Sequence, residues 1–193
     1  EYIGGNSEVT PNEAALVAWL LSDGHYKWSK KSKMKTQGVF GSIAQASHKF
    51  QKQVKLILEA NNMTWKETNL GSDNENVNIS YRLKATELRQ FLDKVVGSRE
   101  DKHSVDWVSW VLRLSVEAME SFLYNFWLAD GSTTVESSTV IKQNRGNIAD
   151  AVMVVGSMLG YKVTQTGGKC SVINLKKDCH VGLQTAKLTP KRT

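Results

Sequence analysis

Ala15-Leu16-Val17-Ala18-Trp19-Leu20-Leu21-Ser22-Asp23-Gly24 closes one apolar run of the chain, and Phe122-Leu123-Tyr124-Asn125-Phe126-Trp127-Leu128-Ala129-Asp130-Gly131 closes another. Each run follows a helix-starting pattern and ends in a small residue, Asp, then Gly. A Gly just past an apolar helix is ordinary, because it adopts the left-handed conformation that stops the helix. An Asp in the last turn is not ordinary, since the helix dipole is negative there and disfavours a carboxylate. Two such acids in matching contexts point to a positive partner, and a divalent metal is the simplest one. The sequence therefore reads as two similar halves, each giving one acidic helix end to a shared centre.

Composition sets the bounds. The chain has 193 residues, 40% of them hydrophobic, with six Trp, enough for a substantial core in one large domain or two small ones. The net charge is +6, and the excess is shared: residues 1–100 carry 14 Lys/Arg against 11 Asp/Glu, and residues 101–193 carry 11 against 8. That balance suits a polyanion held across both halves better than a basic tail. No uninterrupted apolar run reaches membrane-spanning length and no basic-then-apolar leader opens the chain, so no membrane partner and a cytoplasmic location are expected. Cys170 and Cys179 are too few for a disulfide scaffold, and Cys179-His180 lacks the second pair a zinc site needs.

Around the two stretches the chain reads in order. Thr10-Pro11-Asn12-Glu13 is a helix start, with Thr as cap, Pro at the first position and Glu three residues on. The first helix runs to Asp23, with Ala14, Ala18 and Ser22 as a small face. His25 to Lys35 carries Lys27, Lys30, Lys31, Lys33 and Lys35 with no acid, and reads as a loop, either solvated or contacting phosphate. A strand follows over Gln37–Gln45, a helix over Ser47–Asn61, strands over Met63–Asn69 and Val77–Lys84 separated by a turn at residues 70–76, and a helix over Thr86–Val96. Polar Gly97–Ser104 is the boundary, and residues 106–115 bridge to the helix Val116–Asp130. The second half repeats the order: strands within Ser132–Gln143, a helix over Asn147–Gly160, strands over Tyr161–Thr166 and Cys170–Lys176, then a tail from Asp178. The expected organisation is an N-terminal half (1–100), a linker (101–115) and a C-terminal half (116–193), related by a pseudo-two-fold axis within a monomer.

The paired stretches resemble the motifs of LAGLIDADG homing endonucleases in their single-chain, two-motif form. Leu16 and Leu123 match the first Leu, Ser22 and Ala129 the small residue, and Asp23-Gly24 and Asp130-Gly131 the ending. Ala18 and Asn125 stand where the consensus has Gly, and Leu21 and Leu128 where it has the first acid. The resemblance implies an α+β fold of two αββαββα halves, whose antiparallel sheets bind DNA, and a metal-dependent endonuclease that cuts one phosphodiester on each strand. It makes Asp23 and Asp130 the ligands of two or more Mg²⁺ ions, with Mn²⁺ or Ca²⁺ as substitutes, and offers the carbonyls of Ser22 and Ala129 as further ligands. It suggests a basic residue at the end of each half's last strand, Lys84 and Lys176 with Lys177 as rival, and a polar residue on an earlier strand, Gln45 and Gln143.

The implied partner is double-stranded DNA of long, mostly asymmetric sequence. Polar side chains on the strands would read it: Gln37, Ser42, Asn78, Ser80 and Arg82 in the first half, and Thr133, Ser137, Thr139, Lys142, Thr164, Gln165, Ser171 and Asn174 in the second. The start at Glu1, without Met, suggests the endonuclease domain of an intein, its splicing residues lying outside this sequence. The alternative on the same fold is a non-cleaving RNA maturase or DNA-binding regulator. Retention of both acids favours the enzyme. A generic basic α+β nucleic-acid binder explains neither the repeat nor the misplaced acids.

Overall fold

The computed structural model describes residues 8–29, 38–45, 48–73, 76–98, 100–133, 139–168 and 170–177. The first half comprises α1 (Pro11–Leu21), β1 (Gly24–Ser29), β2 (Gly38–Gln45), α2 (His48–Ala60), β3 (Trp65–Asp73), β4 (Asn76–Leu83) and α3 (Ala85–Phe91), which runs on as a π-helical turn over Leu92–Val96. A short helix α4 (Trp107–Val111) leads into the second half: α5 (Val116–Asp130), β5 (Gly131–Thr133), β6 (Thr139–Asn144), α6 (Asn147–Met158), β7 (Tyr161–Gly167) and β8 (Cys170–Lys177). The two antiparallel sheets have the same order, β1-β2-β4-β3 and β5-β6-β8-β7. The halves are pseudo-symmetric in topology, as the repeated motif implied.

The helix starts form as their sequences dictate. Thr10 accepts from the Glu13 amide while Glu13 returns a bond to the Thr10 amide, a complete capping box with Pro11 inside the first turn. Ser115 caps α5 by accepting from Ala118. Every residue of α1 from Glu13 to Leu21 is buried, as expected of a helix apolar on all sides, and α5 is its principal packing partner.

Midway along them lies a buried polar contact, the Trp19 indole Nε1 donating to Asn125 Oδ1 at 3.1 Å. Asn125 in turn donates to the Ser121 carbonyl at 2.8 Å, and the Ser121 hydroxyl donates to the Pro11 carbonyl at 2.7 Å. The Asn that replaces the consensus Gly is thus hydrogen-bonded inside the interface.

Three local expectations are corrected. His25 to Ser29 is not loop but strand β1, paired from Gly24↔Ile43 to Ser29↔Gly38, because Tyr26 alternates inward into the core between exposed His25 and Lys27. Leu70 and Gly71 do not form the turn; β3 continues through them with a register shift between Asn69 and Ser72, where Gly71 takes φ +117° and its amide bonds Asn69 Oδ1. Gly24 and Gly131 are also not left-handed helix stops. Gly131 is extended (φ −99°, ψ 163°) and Gly24 has no positive φ. Each is Gly because the chain folds straight back over the helix end. A Cβ on Gly24 would lie 2.7 Å from Leu20 Cα and 2.8 Å from the Trp19 carbonyl oxygen, and one on Gly131 would overlap Trp127. Residues 178–193, expected to be a tail, lie outside the described residues.

Residues 101–115 are packed rather than free. Trp107, Trp110, Val111 and Leu114 are buried, with the Trp110 indole bonded to the Val95 carbonyl at 2.8 Å and the Trp107 indole to the Lys102 carbonyl at 2.6 Å. Trp107, Trp110, Phe122 and Phe126 pack in series at centroid separations of 5.6, 5.9 and 5.8 Å, the first pair edge to face and the others tilted, joining this segment to α5. None of the helices among the described residues is long and apolar enough to cross a membrane.

Candidate functional site

Tight folding of the chain over each helix end fixes where the two acids stand. Asp23 follows the Ser22 cap of α1, and Asp130 is the last residue of α5. Each is met by a Gln from the strand that pairs with the one leaving its helix. Gln45, at the end of β2, donates Nε2 to Asp23 Oδ2 at 2.8 Å. Gln143, on β6, donates Nε2 to Asp130 Oδ2 at a weaker 3.4 Å. The two pairs occupy equivalent places in the two halves. Gln45 is further fixed by Gln51, whose side-chain amide donates to its carbonyl at 3.0 Å.

The acids are partly buried and close enough to feel each other. Burial pushes the Asp23 carboxyl up to about 7, with the charge of Asp130 adding to the rise and Gln45 and Lys102 opposing it. Burial likewise pushes Asp130 up to about 6 against the pull of Lys102. Two carboxylates raised in this way are only partly compensated by Lys102, which leaves room for further positive charge. The oxygen-only donor set fits a hard divalent cation such as Mg²⁺, Mn²⁺ or Ca²⁺. Among the described residues no three His, Cys, Asp or Glu side chains cluster; backbone carbonyls, water or a bound phosphate are the kinds of oxygen that complete the shell of such an ion.

Lys102 is the site residue that sequence reading missed. It lies in the polar stretch read as a boundary, and no periodicity marks it. Its Nζ donates to the Leu21 carbonyl at 2.9 Å and the Gly24 carbonyl at 2.7 Å, on either side of Asp23. The ammonium thereby satisfies the Leu21 carbonyl at the C-terminus of α1, where the last turn has no basic residue of its own, and ties it to the Gly24 carbonyl at the start of β1. Burial lowers its pKa, and the charges of Asp130, Asp101 and Asp23 oppose that fall. An open cleft of about 380 Å³ beside it is lined by Leu21, Ser22, Asp130, Lys142, Gln143 and the neighbouring His103.

The strand-end lysines are elsewhere. Gln45 stands opposite Ile79 in the β2–β4 ladder, so Lys84 lies five residues farther along, roughly 17 Å at about 3.3 Å per residue. There it pairs with Glu87 at 2.9 Å. Gln143 stands opposite Ser171 in the β6–β8 ladder, which puts Lys176 the same five residues away, exposed. In both halves the antiparallel register carries the end of the last strand away from the acids, so Lys84 and Lys176 are corrected as site lysines. Lys177 follows Lys176 at the same far end of β8.

Strand alternation divides the DNA-facing candidates. Ser42 and Arg82 are cross-strand partners on the open face of the first sheet; Ala44 and Ser80 pair beside them, Asn78 has the same parity, and exposed Lys27 on β1 lies opposite Phe40. In the second sheet Thr164 and Asn174 pair on the open face, and Lys142 is exposed at the cleft. Ser171, Gln165 and Thr139 are corrected. Ser171 is fully buried in phase with Ile173 and Leu175, and its hydroxyl donates to the Gln143 carbonyl at 2.9 Å. Gln165 is turned to the same side and donates to Ser171 Oγ at 2.9 Å. Thr139 has the inward parity of Ile141. Thr133 pairs with Thr139 in the ladder. Lys30, Lys31, Lys33, Lys35, Gln37 and Ser137 lie outside the described residues.

Two αββαββ repeats with matching sheets, whose motif helices pair and end in acids, constitute the LAGLIDADG homing-endonuclease fold. Solved structures of that fold superpose on this one. I-DmoI in complex with DNA and Mn aligns with a TM-score of 0.62 at 15% identity over 86% of this chain and 89% of that one. I-DmoI in complex with DNA and Ca aligns with a TM-score of 0.62 at 15% identity over 86% and 83%. The N-terminal LAGLIDADG domain of DUF199/WhiA aligns with a TM-score of 0.56 at 11% identity over 95% and 89%. No protein-family model matches the sequence, and no curated protein matches it.

Proposed function

We propose that this chain is a monomeric, metal-dependent, site-specific DNA endonuclease that cuts both strands of a long target, one at each acid. The observation that carries the reading is the paired arrangement of Asp23 with Gln45 and Asp130 with Gln143 at the ends of two packed helices. A structural role alone would not favour two half-buried acids at negative helix ends, whereas phosphodiester hydrolysis needs such oxygens for divalent cations. The fold shared with I-DmoI, solved with DNA and Mn or Ca, supports the same reading.

In this reading Asp23 and Asp130 hold divalent ions, Mg²⁺ by preference, and Ser22 and Ala129 offer carbonyls. The ions would supply Lewis acidity at the scissile phosphates. Gln45 and Gln143 fix the carboxylates so that their free oxygens turn to the DNA. Lys102 offsets the negative charge that gathers where the two strands are cut, and holds the α1 terminus against the repulsion of the acids. The sheets lie along the duplex, with Lys27, Arg82 and Lys142 meeting phosphates or base edges, and Ser42, Asn78, Ser80, Thr164 and Asn174 providing polar contacts.

The test is cleavage of a randomised DNA library with Mg²⁺ by the parent chain and by Asp23→Asn and Asp130→Asn. Double-strand cuts that become nicks on one strand in each single variant are expected. Selective, salt-sensitive binding with no cutting at any metal concentration would move the function to a DNA-binding regulator on the same fold.

A further inference from the structure

The open face of the first sheet carries one exposed aromatic ring among polar and basic side chains, with exposed Leu70 standing apart at the irregularity of β3. Phe40 stands there 44% exposed, in phase with Ser42 and out of phase with buried Val39 and Ile43. Its cross-strand partner is exposed Lys27, and the next pair along β2 is Ser42 opposite Arg82. An aromatic ring with Lys27 opposite and Arg82 one pair along is poorly placed to meet another protein's apolar surface, since those charges would have to be desolvated. Against DNA the same charges are favourable. In a major groove the only apolar group on a base edge is the thymine 5-methyl.

Register turns this into a position. Gln45 marks the acid end of β2 and Phe40 lies five residues before it, roughly 17 Å at about 3.3 Å per residue. The duplex advances about 3.4 Å per base pair, so that distance spans roughly five base pairs. We propose that Phe40 is a specificity-determining residue that packs on the methyl group of a thymine about five base pairs from the centre of the target. The inference rests on the DNA-recognition part of the function proposed above.

The experiment uses the full chain and Ca²⁺. Duplexes retained from a randomised library define the preferred sequence, and each thymine in it is then replaced by deoxyuridine, which removes only the methyl. The parent chain is expected to select thymine at one position four to six base pairs from the centre, and to bind about three- to fivefold more weakly when that base is deoxyuridine. Phe40→Ala should bind the two duplexes equally and lose selection at that position alone, while Phe40→Leu keeps part of the preference. If Phe40→Ala still distinguishes thymine from deoxyuridine there, or the parent selects no thymine in that window, the assignment to Phe40 is wrong although DNA recognition stands. If the parent chain selects no sequence at all, the functional reading fails and this inference with it.

Discussion

The Trp19 indole and the Asn125 side chain form a buried hydrogen bond of 3.1 Å across the two motif helices. It fixes the register of α1 against α5, and through that register the separation of the acids that end them. Asn125→Leu would leave the indole N–H buried without a partner, at about 1 to 3 kcal/mol, whereas Trp19→Phe with Asn125→Leu should cost less than the two single changes together. Urea unfolding of the four proteins measures this. Additive costs would mean that the pair is not coupled.

Stability without metal should depend on pH in the sense opposite to an ordinary ion-paired acid. Folding raises Asp23 to about 7 and Asp130 to about 6 from an ordinary 3.8, so the folded state binds more protons than the unfolded one. The metal-free protein therefore loses stability as pH rises from about 4 to about 7, on the order of 1 to 2 kcal/mol once solvent screening is allowed for. Asp23→Asn should flatten most of that slope. Added Mg²⁺ should raise Tm more at pH 8 than at pH 5. Thermal melts across pH with chelator and with Mg²⁺ check both, and a slope of the other sign would refute the account.

Lys102→Met removes the only ammonium among the described residues that bonds carbonyls flanking an acid. The lost charged hydrogen bonds should destabilise the fold by about 1.5 to 3 kcal/mol. Single-turnover cleavage should fall at least tenfold, even below the melting temperature, because both carboxylates lose their fixed countercharge. Cleavage equal to that of the parent would exclude Lys102 from the site.

Lys84→Ala and Lys176→Ala should leave cleavage within about twofold of the parent. The first loses an exposed pair with Glu87, worth at most about 0.5 kcal/mol, and the second an exposed lysine at the same distal end of its sheet. Gln45→Ala, by contrast, should lower cleavage and shift the pH profile, because it frees Asp23 from a 2.8 Å bond. Rate–pH profiles of the three variants separate these outcomes.

Gly24→Ala and Gly131→Ala should each destabilise by about 1 to 3 kcal/mol, since the added methyl meets the preceding helical turn. Melting temperatures test this. An unchanged Tm would mean the backbone gives way cheaply at that point.

Much of this was legible in the chain. The capping box of α1, the apolar helices, the repeated small-Asp-Gly endings and the alternation of strands are local patterns, and local patterns survive in sequence because each is written by neighbouring residues. They were enough to propose two like halves and two acids at helix ends. What tertiary structure decided was everything that depends on register and on approach between distant segments. Antiparallel pairing carried Lys84 and Lys176 to the far ends of their sheets, strand phase turned Ser171, Gln165 and Thr139 inward, and the Trp107 indole held the Lys102 segment while its ammonium reached the end of α1. The same folding-back over each helix end, and not a left-handed turn, required the two glycines. The sequence by itself determined the elements and the paired acids; only packing decided which lysine stands beside them, because proximity across the chain is set by hydrogen-bond register and close packing rather than by spacing.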